Sequence, residues 1–168
     1  ILILNLIIQI KYVLMDINFL NFNKKYSNKF YDLNIEWLES YFYVEEHDKQ
    51  ILSNPEEYII NKGGSVLFVS CGNKIVGTVA LMPTSDIDTY ELTKMAVDPN
   101  YRGKKIGQKL LEQIIFIARE KKLNKLILYS NKKLENAIYL YSKYKFVEIR
   151  LEKNCPYKRA NIKMELSI

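Results

Sequence analysis

Apolar and polar positions change rhythm several times along the chain. From Asp16 to Phe22 they alternate, with Ile17, Phe19 and Asn21 set against Asn18, Leu20 and Phe22, which predicts a first strand. Lys24 to Asp32 reads as a connection. Asn34 is placed to cap a helix in which Ile35, Leu38, Tyr41 and Phe42, with Trp37 beside them, hold an apolar stripe at helical spacing. Ser53-Asn54-Pro55-Glu56-Glu57 predicts a second helix start, because proline suits the first turn and two carboxylates complement the positive helix end. That helix runs through Tyr58, Ile59 and Ile60 and stops at Gly63-Gly64.

The rhythm then shortens. Ser65 to Ser70 and Lys74 to Leu81 are strand-like runs joined by Cys71-Gly72-Asn73, which predicts a hairpin. After the polar loop Pro83 to Asp88, Tyr90 to Val97 reads as a strand closed by Asp98-Pro99-Asn100. Gly103 to Lys122 is a long amphipathic helix, with Ile106, Leu110, Ile114 and Ile117 or Ala118 three or four residues apart. Lys125 to Tyr129 is a short strand, Leu134 to Tyr144 a helix with Ala137, Ile138 and Tyr141 on one stripe, and Phe146 to Leu151 and Ala160 to Leu166 closing strands. Hairpins first and strand–helix alternation later imply an α+β domain on a mixed sheet. No internal repeat or linker divides residues 15–168, so a single domain is expected there.

Composition alters this picture little, but charge does. The 168 residues are 48% hydrophobic and 26% charged, the profile of one globular domain, and their net charge is +6. Residues 1–100 carry 8 basic and 13 acidic side chains, whereas residues 101–168 carry 17 and 6. A basic half suits an anionic ligand and an acidic half a cationic one; solvated helix faces are the plainer explanation of the same counts. Two cysteines, Cys71 and Cys155, make neither a metal pattern nor a disulfide framework and fit a reducing, cytoplasmic setting. No metal site is expected from a single histidine, His47. Glu45-Glu46-His47-Asp48 looks like a ligand cluster but reads better as a polar helix end.

Residues 1–14 are apolar, yet Asn5, Gln9 and Lys11 interrupt them and they fall short of the roughly 20 residues of a membrane span. They lack a basic leader and a small-residue cleavage site. Ile1 is no natural initiator, while Met15 begins a segment that runs smoothly into the domain. The segment is read as an upstream extension or fragment artefact, with an ordered extra strand or helix, a tail or a homodimer interface left open.

The stretch that carries chemistry is Tyr90 to Leu111: a strand, a tight basic turn containing glycine, then a helix start. Main-chain N–H groups converge at such a turn and the helix end adds about half a positive charge, so an anion belongs there and a pyrophosphate has the right size. An ordinary loop with solvated lysines is the alternative on these residues alone. No Gly-Lys-Ser/Thr follows, as a nucleoside triphosphatase would need, and Gly-x-Gly-x-x-Gly is absent.

Arg102-Gly103-Lys104-Lys105-Ile106-Gly107 resembles the acyl-coenzyme A loop, Gln/Arg-x-x-Gly-x-Gly/Ala, of the general-control-nonderepressible-type N-acetyltransferases, the GNAT superfamily. Lys105 stands where that loop has its middle glycine. Ala137-Ile138-Tyr139-Leu140-Tyr141-Ser142-Lys143-Tyr144-Lys145-Phe146 is similar to the superfamily's Ala-Ile-x-Leu-Tyr-x-x-x-Gly-Phe, with Lys145 in place of glycine. At a helix end that replacement puts a non-glycine in the left-handed cap, at a cost on the order of 1 kcal/mol. Glu36-Trp37-Leu38-Glu39, Asn54 to Ile59, Lys62-Gly63-Gly64, Tyr90-Glu91-Leu92 and Tyr157 to Glu165 look like a bacterial branch whose members occur alone or fused behind a winged-helix regulator.

The resemblance implies a three-layer α/β/α fold with a mixed, mostly antiparallel, centrally splayed sheet, and acetyl-CoA as cosubstrate. It places the pantetheine beside Met95, Ala96 and Val97, the phosphates at Arg102, Gly103, Lys104, Lys105, Ile106 and Gly107, and polar contacts at Asn131 and more weakly Asn136. Asn131 equally suits a helix cap. Leu92 and Met95 are both core candidates three residues apart, which strict alternation forbids, so a β-bulge is expected between them. A backbone N–H near Met95 or Ala96 would then polarise the thioester carbonyl. Tyr141 matches the tyrosine that faces the sulfur as general acid, and Glu91 holds the strand position of a general base.

The implied activity is acetyl transfer to a primary amine of a small molecule or protein by direct attack. The alternative is a non-catalytic acyl-CoA sensor, motivated by the two lysines in glycine positions. Nucleic-acid binding fits less well, because the basic excess is Lys-rich and carries no recognised motif. The opposite charges of the two halves lean toward a cationic acceptor.

Overall fold

The computed structural model describes residues 16–168; the expectations for residues 1–14, and for a start at Met15, lie outside the described residues. Seven strands form one sheet in the order β1-β2-β3-β4-β5-β7-β6. They are β1 (Ile17–Asn21), β2 (Ser65–Cys71), β3 (Lys74–Pro83), β4 (Thr89–Val97), β5 (Lys125–Ser130), β6 (Val147–Ile149) and β7 (Ile162–Ser167). Every neighbouring pair is antiparallel except β4 with β5. The sheet is mixed, as expected from the order of hairpins and helices, and mostly antiparallel, as the resemblance implies.

Both faces of the sheet are covered, and β2 shows why its run reads as continuously apolar. Leu67 and Val69 point into one core while Val66 and Phe68 point into the other. The first core is closed by α3 (Ile106–Glu120), whose Ile106, Leu110, Ile114 and Ala118 form the buried stripe, and by α4 (Glu135–Lys143) through Tyr141. The second is closed by α1 (Ser27–Tyr41) through Phe30, Leu33 and Leu38 and by α2 (Glu46–Ser53) through Ile51 and Leu52. At Gly77 a Cβ would lie 3.0 Å from Leu110 Cδ1 and 3.3 Å from Ile106 Cγ2, so α3 packs tightly on β3 there.

Two helical expectations change. α1 begins at Ser27, a full two turns before Asn34, because Phe30 and Leu33 extend the apolar stripe backward through residues that otherwise look like a connection. Asn34 is therefore no cap: it is buried mid-helix and its Nδ2 donates to the Phe30 carbonyl at 2.9 Å. The helix expected after Pro55 is only the single wide π-type turn Glu56–Ile60, and the regular helix lies just before it as α2. Glu45 caps α2 through a reciprocal box with Asp48, so Glu45 to Asp48 is indeed a polar helix end.

Candidate active site

The site begins as a gap in the sheet. β4 and β5 pair only from Thr89 opposite Lys125 to Glu91 opposite Ile127, although β4 runs on to Val97 and β5 to Ser130. The cause is local. Thr78 pairs with Ala96 and Ala80 with Thr93, so Lys94 and Met95 both oppose Val79, and Lys94 takes the left-handed φ of 51°. This is the bulge expected from the three-residue spacing of Leu92 and Met95, which both pack into the first core while Ala96 turns to the second. A bulge adds twist and bends its strand, which turns β4 from β5. Ala96 and Val97 are bonded to β3 on one side; their other edge, with Met95's, faces the gap without a strand partner.

A cavity of about 100 Å³ lies at this divergence. β4 lines it with Thr93, Lys94 and Met95, β5 and its end with Tyr129, Ser130 and Asn131, α1 with Trp37 and Leu38, and Phe42 follows just past the end of α1. α4 contributes Ala137 and Tyr141, and the segment before β7 contributes Tyr157 and Arg159. Tyr141 is buried, its ring 5.8 Å from that of Phe146, and burial pushes its hydroxyl up to about 12. It is a protonated donor on the cavity wall at neutral pH.

At the other end of β4, the turn Pro99–Tyr101 leads into the basic loop. Gly103 (φ 74°) and Lys105 (φ 61°) both take left-handed backbone before α3 starts at Ile106. A Cβ on Gly103 would touch nothing, so its requirement is conformational, and Lys105 reaches the same region without being glycine. Lys145 likewise caps α4 at φ 71°, as expected for the second replaced glycine. Ile106 serves the core with its side chain and can offer the loop only its main chain, while Gly107 sits beside the Met95 and Val97 side chains. Lys104 lies over the Tyr101 ring at 4.7 Å.

Arg102 differs from expectation. Its Nε donates to the Val97 carbonyl at 3.0 Å and its guanidinium forms an ion pair with Glu36 over the Tyr41 ring. The side chain thus braces the loop against α1, and the Arg102 main-chain N–H is also engaged, donating to the Pro99 carbonyl at 3.3 Å, so the anion donors of the turn are left to the residues after it. Asn131 is also engaged: Nδ2 donates to the Arg159 carbonyl at 2.7 Å and Oδ1 accepts from Lys133 N at 2.9 Å, so it caps the turn before α4 while lining the cavity. Asn136 is exposed on α4 and is not among the lining residues.

Glu91 is close to the cavity without lining it. Its Oε1 accepts the Tyr157 hydroxyl at 2.7 Å, and Tyr157 stands between it and the cavity, 3.4 Å from Thr93 Oγ1. Burial first, and then the Glu91 charge, hold the Tyr157 hydroxyl well above its ordinary value. Tyr129, the neighbouring ring at 5.6 Å, donates its hydroxyl to Glu152 and is raised by burial and by that carboxylate.

Beside Tyr157 sits an ionic cluster that sequence reasoning did not find. Asp48 is wholly buried; Oδ1 accepts from Lys94 Nζ at 2.7 Å and from Arg159 Nη2 at 3.0 Å, and Oδ2 accepts from Arg159 Nη1 at 2.5 Å. Burial works to raise this carboxyl, but the Arg159 and Lys94 donors outweigh it and hold Asp48 below the usual range. Glu45 Oε1 also accepts from Arg159, at 3.0 Å. Lys94 gave no signal beyond one charge inside an apolar strand, and its partner is 46 residues away. Part of the acidic excess of the first hundred residues is consumed by bases of the other half: Asp48 and Glu45 on Arg159, and Glu36 on Arg102.

With this geometry in place, comparison with known proteins is decisive about class. The family model described as Acetyltransferase (GNAT) family matches residues 14–146. The chain belongs to the GNAT acetyltransferase family. Among solved structures, a GNAT-family acetyltransferase from Staphylococcus aureus Mu50 has a TM-score of 0.80 and 28% identity, covering 90% of this chain and 98% of that one. The PaiA N-acetyltransferase of Thermoplasma acidophilum, solved in complex with coenzyme A, has a TM-score of 0.70 at 18% identity, covering 92% of this chain and 100% of its own, and shows the shared fold. Among curated proteins, N-acetylaspartate synthetase of Xenopus tropicalis is 35% identical over 68 residues, 40% of this chain and 25% of that protein's length. The probable N-acetyltransferase camello of the same frog is 30% identical over 77 residues, 45% of this chain and 35% of its own length. The chain thus spans about a quarter to a third of the curated relatives that it matches. Among the described residues, no helix is long and apolar enough to cross a membrane.

Proposed function

We propose that the chain transfers an acetyl group from acetyl-coenzyme A to a primary amine by direct attack of the amine on the thioester. The observation that carries this is the divergence of β4 from β5 beyond Glu91 and Ile127, which leaves an unpaired strand edge leading toward the basic loop and a cavity walled by Met95 and Tyr141. These features fit the cosubstrate. The β4 edge at Met95, Ala96 and Val97 can bond an amide-bearing arm, and the Gly103 to Gly107 turn presents main-chain N–H groups and a helix end to a pyrophosphate. Coenzyme A, when bound, supplies the acetyl thioester.

The chain's own groups divide the remaining work. A main-chain N–H at the Lys94–Met95 bulge, freed from the β4–β5 ladder, is directed at the carbonyl oxygen as negative charge develops there. Glu91 receives the proton released by the amine, through Tyr157: the phenol passes its own proton to Glu91 Oε1 and accepts the one leaving nitrogen. Tyr141 donates to the sulfur as the carbon–sulfur bond breaks. Its raised value makes complete proton transfer to a thiolate of pKa about 8.5 uphill by on the order of 5 kcal/mol, so Tyr141 acts as a hydrogen-bond donor more than as a full acid. The nitrogen–carbon bond forms, the carbon–sulfur bond breaks, and the amine proton balances that taken up by the thiol.

The lysines at 105 and 145 keep the left-handed backbone of the glycines they replace, which removes the motive for a binding-only role. Titration with acetyl-coenzyme A, followed by a free-thiol assay across amino acids, polyamines, aminoglycosides and peptides, tests the proposal. Saturable binding with amine-dependent thiol release is expected. Absence of saturable binding overturns it, and binding without thiol release favours the sensor.

A further inference from the structure

Resting on that acetyltransferase reading, we propose that the acceptor is a free α-amino acid whose carboxylate is held by Lys94. The bulge makes this residue different from its neighbours on β4. With φ at 51°, Lys94 falls outside the alternation that sends Leu92 and Met95 into the first core, and its side chain lines the cavity while only 4% exposed. An ammonium group carries three donors. Among the described residues Lys94 Nζ makes one hydrogen bond, to Asp48 Oδ1 at 2.7 Å, and otherwise lies 5.0 Å from the centre of the Tyr157 ring. Two N–H donors of a buried cation thus remain for an oxygen brought into the cavity, and leaving them unmatched in a dry site is costly.

The lining also argues against a second positive charge on the acceptor. Asp48 is the one carboxylate that lines the cavity among the described residues, and both its oxygens are taken by Lys94 and Arg159. A polyamine entering here finds no free anion for its distal ammonium. A carboxylate finds spare donors. Tyr157 links the two halves of such an acceptor, since Lys94 lies against its ring and its hydroxyl leads to Glu91. The carboxylate and amine sites therefore flank one phenol side chain, and an α-amino acid carries these groups on a single carbon. The carboxylate takes no part in bond making; it sets which amine reaches the thioester.

The test compares each of several α-amino acids with the matching amine that lacks the carboxylate, phenylalanine with phenethylamine for example, using the protein itself, acetyl-coenzyme A and thiol release. The amino acid is expected to have a KM lower by about tenfold or more, as for a hydrogen bond to a charged group. Lys94→Met should bring the two KM values together, and Lys94→Arg should restore part of the difference; thermal melting and acetyl-coenzyme A titration check that each variant is folded. Equal KM values in the parent protein overturn the proposal without any variant. A Lys94→Met loss confined to kcat and equal for both acceptors also overturns it, since Lys94 would then act on the acetyl group. Amino-acid amides performing as well as the acids would transfer the site to a neutral carbonyl, as at a peptide terminus, and overturn it too. No thiol release with any amine overturns the acetyltransferase reading itself.

Discussion

Replacing Tyr157 with phenylalanine removes one oxygen and leaves a ring that is 5% exposed and packed against His47 and Tyr129 at centroid distances of 5.5 and 5.6 Å. The lost interaction is the 2.7 Å hydrogen bond to Glu91; the 3.4 Å approach to Thr93 is too long to weigh heavily. That bond exists already in the free enzyme, so what the reaction loses is the proton path to Glu91; general-base catalysis contributes about 10²–10⁴-fold, and kcat/KM is expected to fall by about 100-fold or more while acetyl-coenzyme A affinity stays within about twofold. The informative assay is a double-mutant cycle on thiol release with Glu91→Gln. If Tyr157 acts only by connecting Glu91 to the amine, each single variant removes the same path and Tyr157→Phe costs little more in the Glu91→Gln background. Additive losses, with Tyr157→Phe costing the same factor in both backgrounds, would refute the path and leave Tyr157 as a wall of the cavity.

Tyr141→Phe should lower kcat by about 10- to 100-fold with little change in acetyl-coenzyme A affinity, because the hydroxyl meets the sulfur only as charge develops on it; an unchanged rate removes Tyr141 from that role. Asp48→Asn strips the shared anion from buried Lys94 and half-buried Arg159 and should destabilise the fold by about 3–5 kcal/mol in urea unfolding at pH 7. Because the folded-state value of Asp48 is lowered, the stability it contributes is complete above the unfolded value near pH 4 and is lost as pH falls through the lower folded value. The parent should therefore lose more stability between pH 5 and 2 than Asp48→Asn does, and equal losses would show that the cluster does not govern acid unfolding. Lys145→Gly relieves a left-handed non-glycine at φ 71° and should stabilise by about 1 kcal/mol, raising the melting temperature by about 2–4 °C. A lower melting temperature would mean that the lysine side chain supplies more than its backbone costs.

The sequence by itself determined what depends on neighbours in the chain. Hairpin, basic turn, the α3 stripe and even the bulge between Leu92 and Met95 are legible, because turn chemistry and side-chain period act over a few residues. Tyr141 and the loop around Gly103 were legible through motif spacing for the same reason. The start of α1 was not, since Phe30 and Leu33 become a stripe only when a sheet is there to receive them. What the tertiary structure alone decided is which charges meet. Arg102 could be read as an anion ligand until Glu36, 66 residues away, took its guanidinium. Glu91 could be read as facing the acceptor until Tyr157, also 66 residues away, came between. Asp48, Lys94 and Arg159 come from a helix, a bulged strand and a loop, and in isolation each looks like a solvated surface charge. Burying such charges is unfavourable unless they are paired, and the pairing partner is set by packing across the sheet, where local pattern carries no information.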